Sequence, residues 1–368
     1  MPLLKSSVKA RIRDFDWILL ILIILLLIYG IAVIYSTATA HIFTGITKNQ
    51  IIFASVGLFL FLFFSLFNYR IFKNWSLYLY LLGVFSLIAV LVTGRVTHGS
   101  VRWLNIGFFQ LQPSEFFKII LIIVLAKFFS SRSEEGGLKV FLLSLIYVLI
   151  PMILVLIQPD LGTALVFLII WAGIYLASHF PKKYLFILLG IGILSFPFLW
   201  NFLHDYQRKR ILVFLNPTSD PLGAGYNVLQ SIIATGSGKF WGRGLGYGYQ
   251  SQLRFLPIQH TDFIFAVFAE SLGFLGVLAL LILFLLLLLR ILKITLKAGD
   301  DFGLLVGIGI FSMFIFQIAI NIGMNVGLFP VTGVPLPLIS AGGSSLITFL
   351  ISLGILENIA LQRRKIVF

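Results

Sequence analysis

The sequence predicts an all-α polytopic membrane protein, with about ten transmembrane helices and one large extracytoplasmic loop between helices 7 and 8. Three observations predict it. Of 368 residues, 60% are hydrophobic and 11% charged, with a mean hydropathy of +1.07; a soluble domain carries roughly a quarter charged residues. Ten segments approach the roughly 20 apolar residues that a helix needs to cross a hydrocarbon core about 30 Å thick. Lysine and arginine gather in the connectors of one side. The net charge of +14 is spread in short clusters between apolar runs, which reads as topology and leaves no nucleic-acid partner expected. The absence of cysteine excludes a disulfide framework, a zinc–thiolate site and a thiol nucleophile.

In chain order the segments are 17–36, 50–68, 76–93, 114–130, 138–157, 161–179, 184–202, 262–290, 303–326 and 344–361. The first is too long and too far into the chain for a cleavable signal peptide, and no A-x-A-like site follows it. The fourth is short, and the eighth is long enough to project beyond the bilayer. Alternating ten-residue strands, the mark of a barrel, are not present. With the N-terminus inside, 17 of the 27 Lys and Arg lie on the inner side and 9 on the outer, six of those nine in one long loop; Lys118 falls in the membrane. Both termini are therefore expected in the cytoplasm, with residues 1–368 as one integral-membrane domain. The loop of about 203–261 faces outward. Loops of that length are usually functional or disordered, and its glycines, aromatics and apolar residues argue against disorder. Within it, Tyr226 to Thr235 has the pattern of a short amphipathic helix at the interface.

Charges at membrane depth cost several kcal/mol (~) unless paired or solvated. Glu115 and Lys118, following Pro113 at spacing i,i+3, share a helix face. They read either as a structural ion pair or as the lining of an outward polar cavity. Asp160 opens the sixth span and Asp262 the eighth, where helix capping is the plainer explanation of each. Glu115, Asp160 and Asp262 nevertheless share the outer start of a helix, so the three carboxylates can face one extracytoplasmic cavity. Glu270 lies eight residues past Asp262, about 12 Å further along a helix, and belongs to a buried pair or a polar path. His260 reads as a base or, more ordinarily, a hydrogen-bonding support. No spacing resembles a transition-metal site, while carboxylate oxygens leave a divalent cation, magnesium or manganese, as the one cofactor expectation.

The outer loop adds Arg208, Lys209, Arg210, Lys239, Arg243 and Arg254. These suit anionic lipid headgroups or a pyrophosphate clamp, because guanidinium forks match phosphate oxygens. Gly236-Ser237-Gly238 and Gly242-Arg243-Gly244 permit close approach of backbone to such a ligand.

The run from Arg210 through Asn216-Pro217, Asp220-Pro221-Leu222-Gly223, Gly236-Ser237-Gly238 and Gln250-Ser251-Gln252-Leu253 to His260-Thr261-Asp262-Phe263-Ile264-Phe265 resembles the SEDS proteins (shape, elongation, division and sporulation). Arg102-Trp103, Gln112-Pro113-Ser114-Glu115, Gln158-Pro159-Asp160-Leu161-Gly162 and Gly342-Gly343-Ser344-Ser345 agree, so the resemblance covers nearly the whole chain. Phe329-Pro330-Val331-Thr332-Gly333-Val334-Pro335 is similar to the RodA-type elongation branch rather than the division branch. Ser271 departs from the pattern, standing where the family commonly has a second Glu; so do Ile258 and Gln259, one of which is commonly acidic, and Ala341, commonly Tyr.

The resemblance implies a peptidoglycan glycosyltransferase that polymerises lipid II on the outer face of the cytoplasmic membrane. It also implies a class B penicillin-binding protein transpeptidase and other elongation-complex proteins as partners. On that reading Asp262 is the general base toward a sugar hydroxyl, and Arg210 meets the pyrophosphate. Glu115, Lys118, Asp160, Arg102, His260, Arg243 and Glu270 bind substrate or line the cavity. A lipid II flippase, a non-catalytic scaffold and an O-antigen-ligase-like transferase are the other readings. The flippase gains some support from Glu270, yet most unusual charges lie at one face rather than near the midplane.

Overall fold

The computed structural model describes residues 14–37, 45–97, 100–106, 109–132, 137–202, 205–220, 223–253, 255–256 and 258–362. In chain order the elements begin with α1 Trp17–Ser36, α2 Gly45–Leu66, α3 Arg70–Thr93, strands β1 Arg95–Thr97, β2 Ser100–Ile106 and β3 Phe109–Leu111, and α4 Pro113–Ser130. They continue with α5 Gly137–Ile157, α6 Leu161–Ala177, α7 Lys183–Leu199, α8 Asp205–Leu215, α9 Ala224–Ser237 and α10 Tyr249–Gln252. The last three are α11 Ile264–Thr295, α12 Asp301–Asn325 and α13 Gly343–Leu361. One helix stands at each of the ten expected segments.

Among the described residues, seven of those helices are long and apolar enough to cross a membrane. The other three are α4, which has 18 residues and carries Glu115, Lys118 and Lys127, and α6 and α7, with 17 each. Seventeen residues still reach about 26 Å. The helix starts follow local chemistry. Asp16 accepts from the Leu19 N–H at 3.1 Å, Asp160 from Thr163 N–H at 3.1 Å and Asp300 from Gly303 N–H at 3.0 Å, each filling an orphan donor of a first turn.

A helix apolar all round belongs inside a bundle, and α13 and α4 are the inner ones. Sixteen of the 19 residues of α13 and fourteen of the 18 of α4 are buried. α13 packs along α2 and against α4, while α12 is enclosed by α4, α6 and α11. The outer helices instead expose large apolar side chains such as Phe59, Phe85, Ile153 and Leu281 toward lipid. α7 stands apart: its main packing partner is the short turn Trp200–Phe202 that follows it. Phe186, Ile193, Leu194 and Phe198 are all exposed on it.

Two features depart from the sequence expectation. The connector before α4 is a small antiparallel sheet of order β1-β2-β3, with Arg95 opposite Trp103 and Leu104 opposite Leu111. The fold class is the expected helical one, with this small sheet added in one connector. Second, the long eighth span is broken at Gly273, whose φ of +63° and ψ of −164° are not helical. The break is knitted to the large loop. Arg243 and Gly244 N–H donate to the Glu270 and Ser271 carbonyls at 3.0 Å each, and Phe274 N–H donates to the Lys239 carbonyl at 2.9 Å. Backbone groups freed by the break therefore find partners, as they must at membrane depth.

Only glycine readily takes that backbone conformation, and a Cβ at Gly273 would lie 2.2 Å from the Gly242 nitrogen. Gly273→Ala is expected to lower stability by about 2 kcal/mol or more. A matched pair of melting curves in detergent checks it; an unchanged midpoint would mean that the loop and the break are not coupled.

Candidate active site

The large-loop end of the bundle holds a cavity of about 170 Å³. Asp262, just before α11, and Arg210, on α8, are its charged lining residues; Asn227, Ile258, Phe329 and Val331 are among the others. The apolar lining comes from the loop helices α8 and α9 and from the segment between α12 and α13. That segment, Phe329-Pro330-Val331-Thr332-Gly333-Val334-Pro335, has no charged side chain to mark it in sequence as part of a site.

Asp262 does not cap α11. Phe263 precedes the first helical residue and makes no side-chain cap bond, so the plainer expectation for Asp262 is corrected. Its position is fixed through its backbone instead. The Asp262 carbonyl accepts from Asn321 Nδ2 at 3.2 Å and Asn325 Nδ2 at 3.0 Å, both on α12. Asn325 Oδ1 in turn accepts from Ala266 N–H at 3.1 Å, and Ser340 Oγ donates to the Thr261 carbonyl at 2.7 Å. With their carboxamides largely committed to backbone, Asn321 and Asn325 hold the chain so that the Asp262 carboxylate lines the cavity, near Gly333 and hydrogen-bonded with Thr261. Sequence reading passed over this pair, although two amides at i,i+4 in an apolar helix were the available signal.

Burial lifts the Asp262 carboxyl above the ordinary carboxylate range. A hydrogen bond with Thr261 and the Arg210 charge oppose the rise, Asp160 adds to it and Arg102 opposes it. Burial likewise lowers the Arg210 guanidinium, with Arg102 acting in the same direction and Asp262 against it. Two cations and two carboxylates thus act on one another at this end of the bundle.

Asp160 and Arg102, expected from sequence to line the cavity, are not among its lining residues and act on Asp262 and Arg210 through their charges. Asp160 is buried and accepts from Thr163 N–H, from Thr163 Oγ1 at 3.0 Å and from Gln112 Nε2 at 3.3 Å. Its expected capping role is what the geometry gives. Arg102, on β2, lies 3.8 Å from Asp160, donates from Nε to the Gln158 carbonyl at 2.9 Å, and reaches the Pro159 carbonyl. The strand pairing presents Arg102 to the α5–α6 turn.

The remaining sequence candidates lie elsewhere. Glu115 and Lys118 form a buried pair at 2.7 Å, with side chains 4% and 1% exposed, so of their two readings the geometry fits the structural ion pair and not a solvent-facing lining. Glu270 is fully buried and accepts from Gln250 N–H at 2.8 Å and Ser251 N–H at 3.1 Å. It pins α10 to the broken helix, so of its two readings the buried partner is what the geometry gives, the partner being loop backbone N–H groups and not a polar path. The reason is the break itself, which keeps Glu270 at the level of the large loop. Arg243 is exposed, with its guanidinium 5.0 Å from the Tyr249 ring centre. It does not line the cavity. His260 Nδ1 and Thr37 Oγ1 are 3.0 Å apart, joining the loop to the end of α1.

Of the basic run after α7, Arg208 donates to the Trp200 and Asn201 carbonyls, and Lys209 pairs with Asp220 at 2.9 Å. Arg210 is left to face the cavity. Arg254 lies outside the described residues. Among the described residues no three His, Cys, Asp or Glu side chains converge, and the Asp160 oxygens are already engaged. The reaction steps given for this chain's residues run through no metal.

A family model for FtsW, RodA and SpoVE, described as cell cycle protein, matches residues 14–365. The chain is 39% identical over 356 residues to the peptidoglycan glycosyltransferase MrdB of Escherichia coli K12, covering 95% of each. It is 38% identical to stage V sporulation protein E of Bacillus subtilis 168, covering 95% of this chain and 98% of that one. A chain from a peptidoglycan synthase complex in which polymerization and crosslinking are coordinated superposes with a TM-score of 0.83 at 31% identity, over 95% of this chain and 99% of that one. The rod shape determining protein RodA of Thermus thermophilus gives 0.72 at 28% identity, over 95% and 98%. With the match running from the first helix to past the last, the chain belongs to the FtsW/RodA/SpoVE family of cell cycle proteins.

Proposed function

We infer that this chain is a peptidoglycan glycosyltransferase that polymerises lipid II for cell elongation and rod shape, with Asp262 as general base. The observation that carries the reading is the Asp262 carboxylate facing a cavity beside Arg210, at the bundle end where α7 stands off toward lipid. Such a place admits a substrate with a long apolar tail and an anionic headgroup. The relatives named as peptidoglycan glycosyltransferases support the reaction class.

Asp262 takes the proton from the acceptor sugar hydroxyl as its oxygen attacks the anomeric carbon of the donor. The bond from that carbon to the pyrophosphate breaks on the opposite face, and the configuration inverts. Undecaprenyl pyrophosphate leaves with the bonding pair, and Arg210 stabilises its growing negative charge. A pyrophosphate needs no protonating acid to depart. The excess of Lys and Arg on the other side supports cytoplasmic termini, a cytoplasmic-membrane location and an outward-facing active site. A class B penicillin-binding protein is the proposed partner, supported by the superposed chain's origin in a polymerising and crosslinking complex.

Purified protein incubated with fluorescent lipid II, alone and with the partner, should give a glycan ladder. No ladder in either case, with lipid II crossing vesicle membranes instead, would return the flippase reading. Arg210→Gln is expected to cut the rate by about 10²–10³-fold. Because Arg210 holds the Asp262 carboxyl down, the acid limb of its remaining kcat/KM should move to higher pH. A limb that stays in place would separate the two charges.

A further inference from the structure

The loop segment 239–249 carries aromatic side chains that the reaction does not use. Trp241 and Tyr247 are each 77% exposed, Tyr249 65% and Phe240 51%. Lys239 and Arg243 are interleaved with them and also exposed. Isolated apolar side chains on a surface are ordinary, but this is a contiguous aromatic and cationic stretch.

Two independent rulers give its depth. The first is α11 beyond its break: from Phe274 to Arg290 is about 24 Å and to Lys293 about 28 Å, one hydrocarbon thickness. Phe274 therefore sits at the hydrocarbon boundary on the large-loop side, and its N–H is bonded to the Lys239 carbonyl. The second is α1, whose 20 residues, nearly all apolar, span about 30 Å and end at Ser36. Gln252 Nε2 donates to the Ser36 carbonyl at 2.7 Å. Both rulers put the segment at the same boundary.

Its exposed surface also continues the lipid-facing one. Phe240 stacks on Phe274 with ring centres 5.8 Å apart, and Phe274 is itself 54% exposed, at the head of the apolar face that α11 presents through Leu278, Leu281 and Leu285. Amphipathic rings at this level are the belt by which membrane proteins hold to the interface. Cations beside them meet lipid phosphates.

We propose that Phe240, Trp241, Tyr247 and Tyr249, with Lys239 and Arg243, form an interfacial anchor seated in the headgroup layer of the large-loop-side leaflet. The anchor is tied to the Gly273 break and, through Glu270, to α10. It sets the height of the loop that leads to Asp262 relative to the lipid surface, a role distinct from the chemistry in the cavity.

The chain has no cysteine, so single labels need no background removal. Trp241→Cys and Tyr247→Cys, each spin-labelled in phospholipid nanodiscs without any partner protein, are compared with Ile282→Cys on the lipid face of α11. The ratio of oxygen to water-soluble nickel-complex accessibility at both loop positions should fall between that of bulk water and that of position 282. A water-like ratio at both positions overturns the anchor. Were both accessibilities to fall together only on adding the class B penicillin-binding protein, the patch would be a protein interface, and the proposal would equally fail.

Discussion

Asp262→Asn is expected to slow lipid II polymerisation by about 10²–10⁴-fold, the usual contribution of a positioned general base, with little change in thermal stability. The fold should survive because Asn321 and Asn325 hold the Asp262 carbonyl, not its carboxylate. Asparagine has nearly the same shape and no basic oxygen. In the unaltered enzyme the base works only when ionised. Its carboxyl is raised by burial, so activity should be full above that raised value and lost as pH falls through it. The acid limb of kcat/KM then lies above the ordinary aspartate value of about 3.9. Glycan-ladder rates across pH check both statements, and a variant that polymerises at the original rate would remove Asp262 from the chemistry.

Breaking the Glu115–Lys118 pair is expected to have the largest effect on stability. Glu115→Gln leaves a buried ammonium without its carboxylate, because Lys118 Nζ and Glu115 Oε1 are 2.7 Å apart with both side chains nearly closed to solvent. Removing one partner of such a pair costs about 3–5 kcal/mol, whereas replacing both with apolar groups of similar size is often close to neutral. Glu115→Leu with Lys118→Met should therefore recover most of what the single change loses. Melting midpoints in detergent separate the cases. A double variant no better than the single one would argue that the pair acts through something other than its mutual charge.

The contrast between these two acidic residues shows how far the sequence could be read. Both stand near the start of a helix at the same end of the bundle, and by spacing alone either could face substrate. Packing separated them. α4 lies at the centre of the bundle, so its first turn is enclosed by neighbours, whereas Asp262 precedes a helix that starts at the rim of the large loop. Glu270 went the same way, for a reason the linear pattern hides. A continuous apolar run implies a continuous helix, yet Gly273 breaks it, and the facing loop backbone takes up the backbone groups that the break frees. The sheet at 95–111 was legible in principle, since β-branched and aromatic residues alternate there between glycines, but the surrounding hydropathy drew the reading toward spans.

By itself the chain's chemistry determined the membrane, the ten helices, the large loop and the family, because each depends on local quantities: run length, charge placement and motif order. Tertiary structure alone decided which charges meet. Whether a carboxylate is a cap, a buried partner or a free base depends on what stands within about 4 Å of it. Those neighbours, α12 amides for Asp262 and a loop helix for Glu270, come from distant parts of the sequence that only folding brings together.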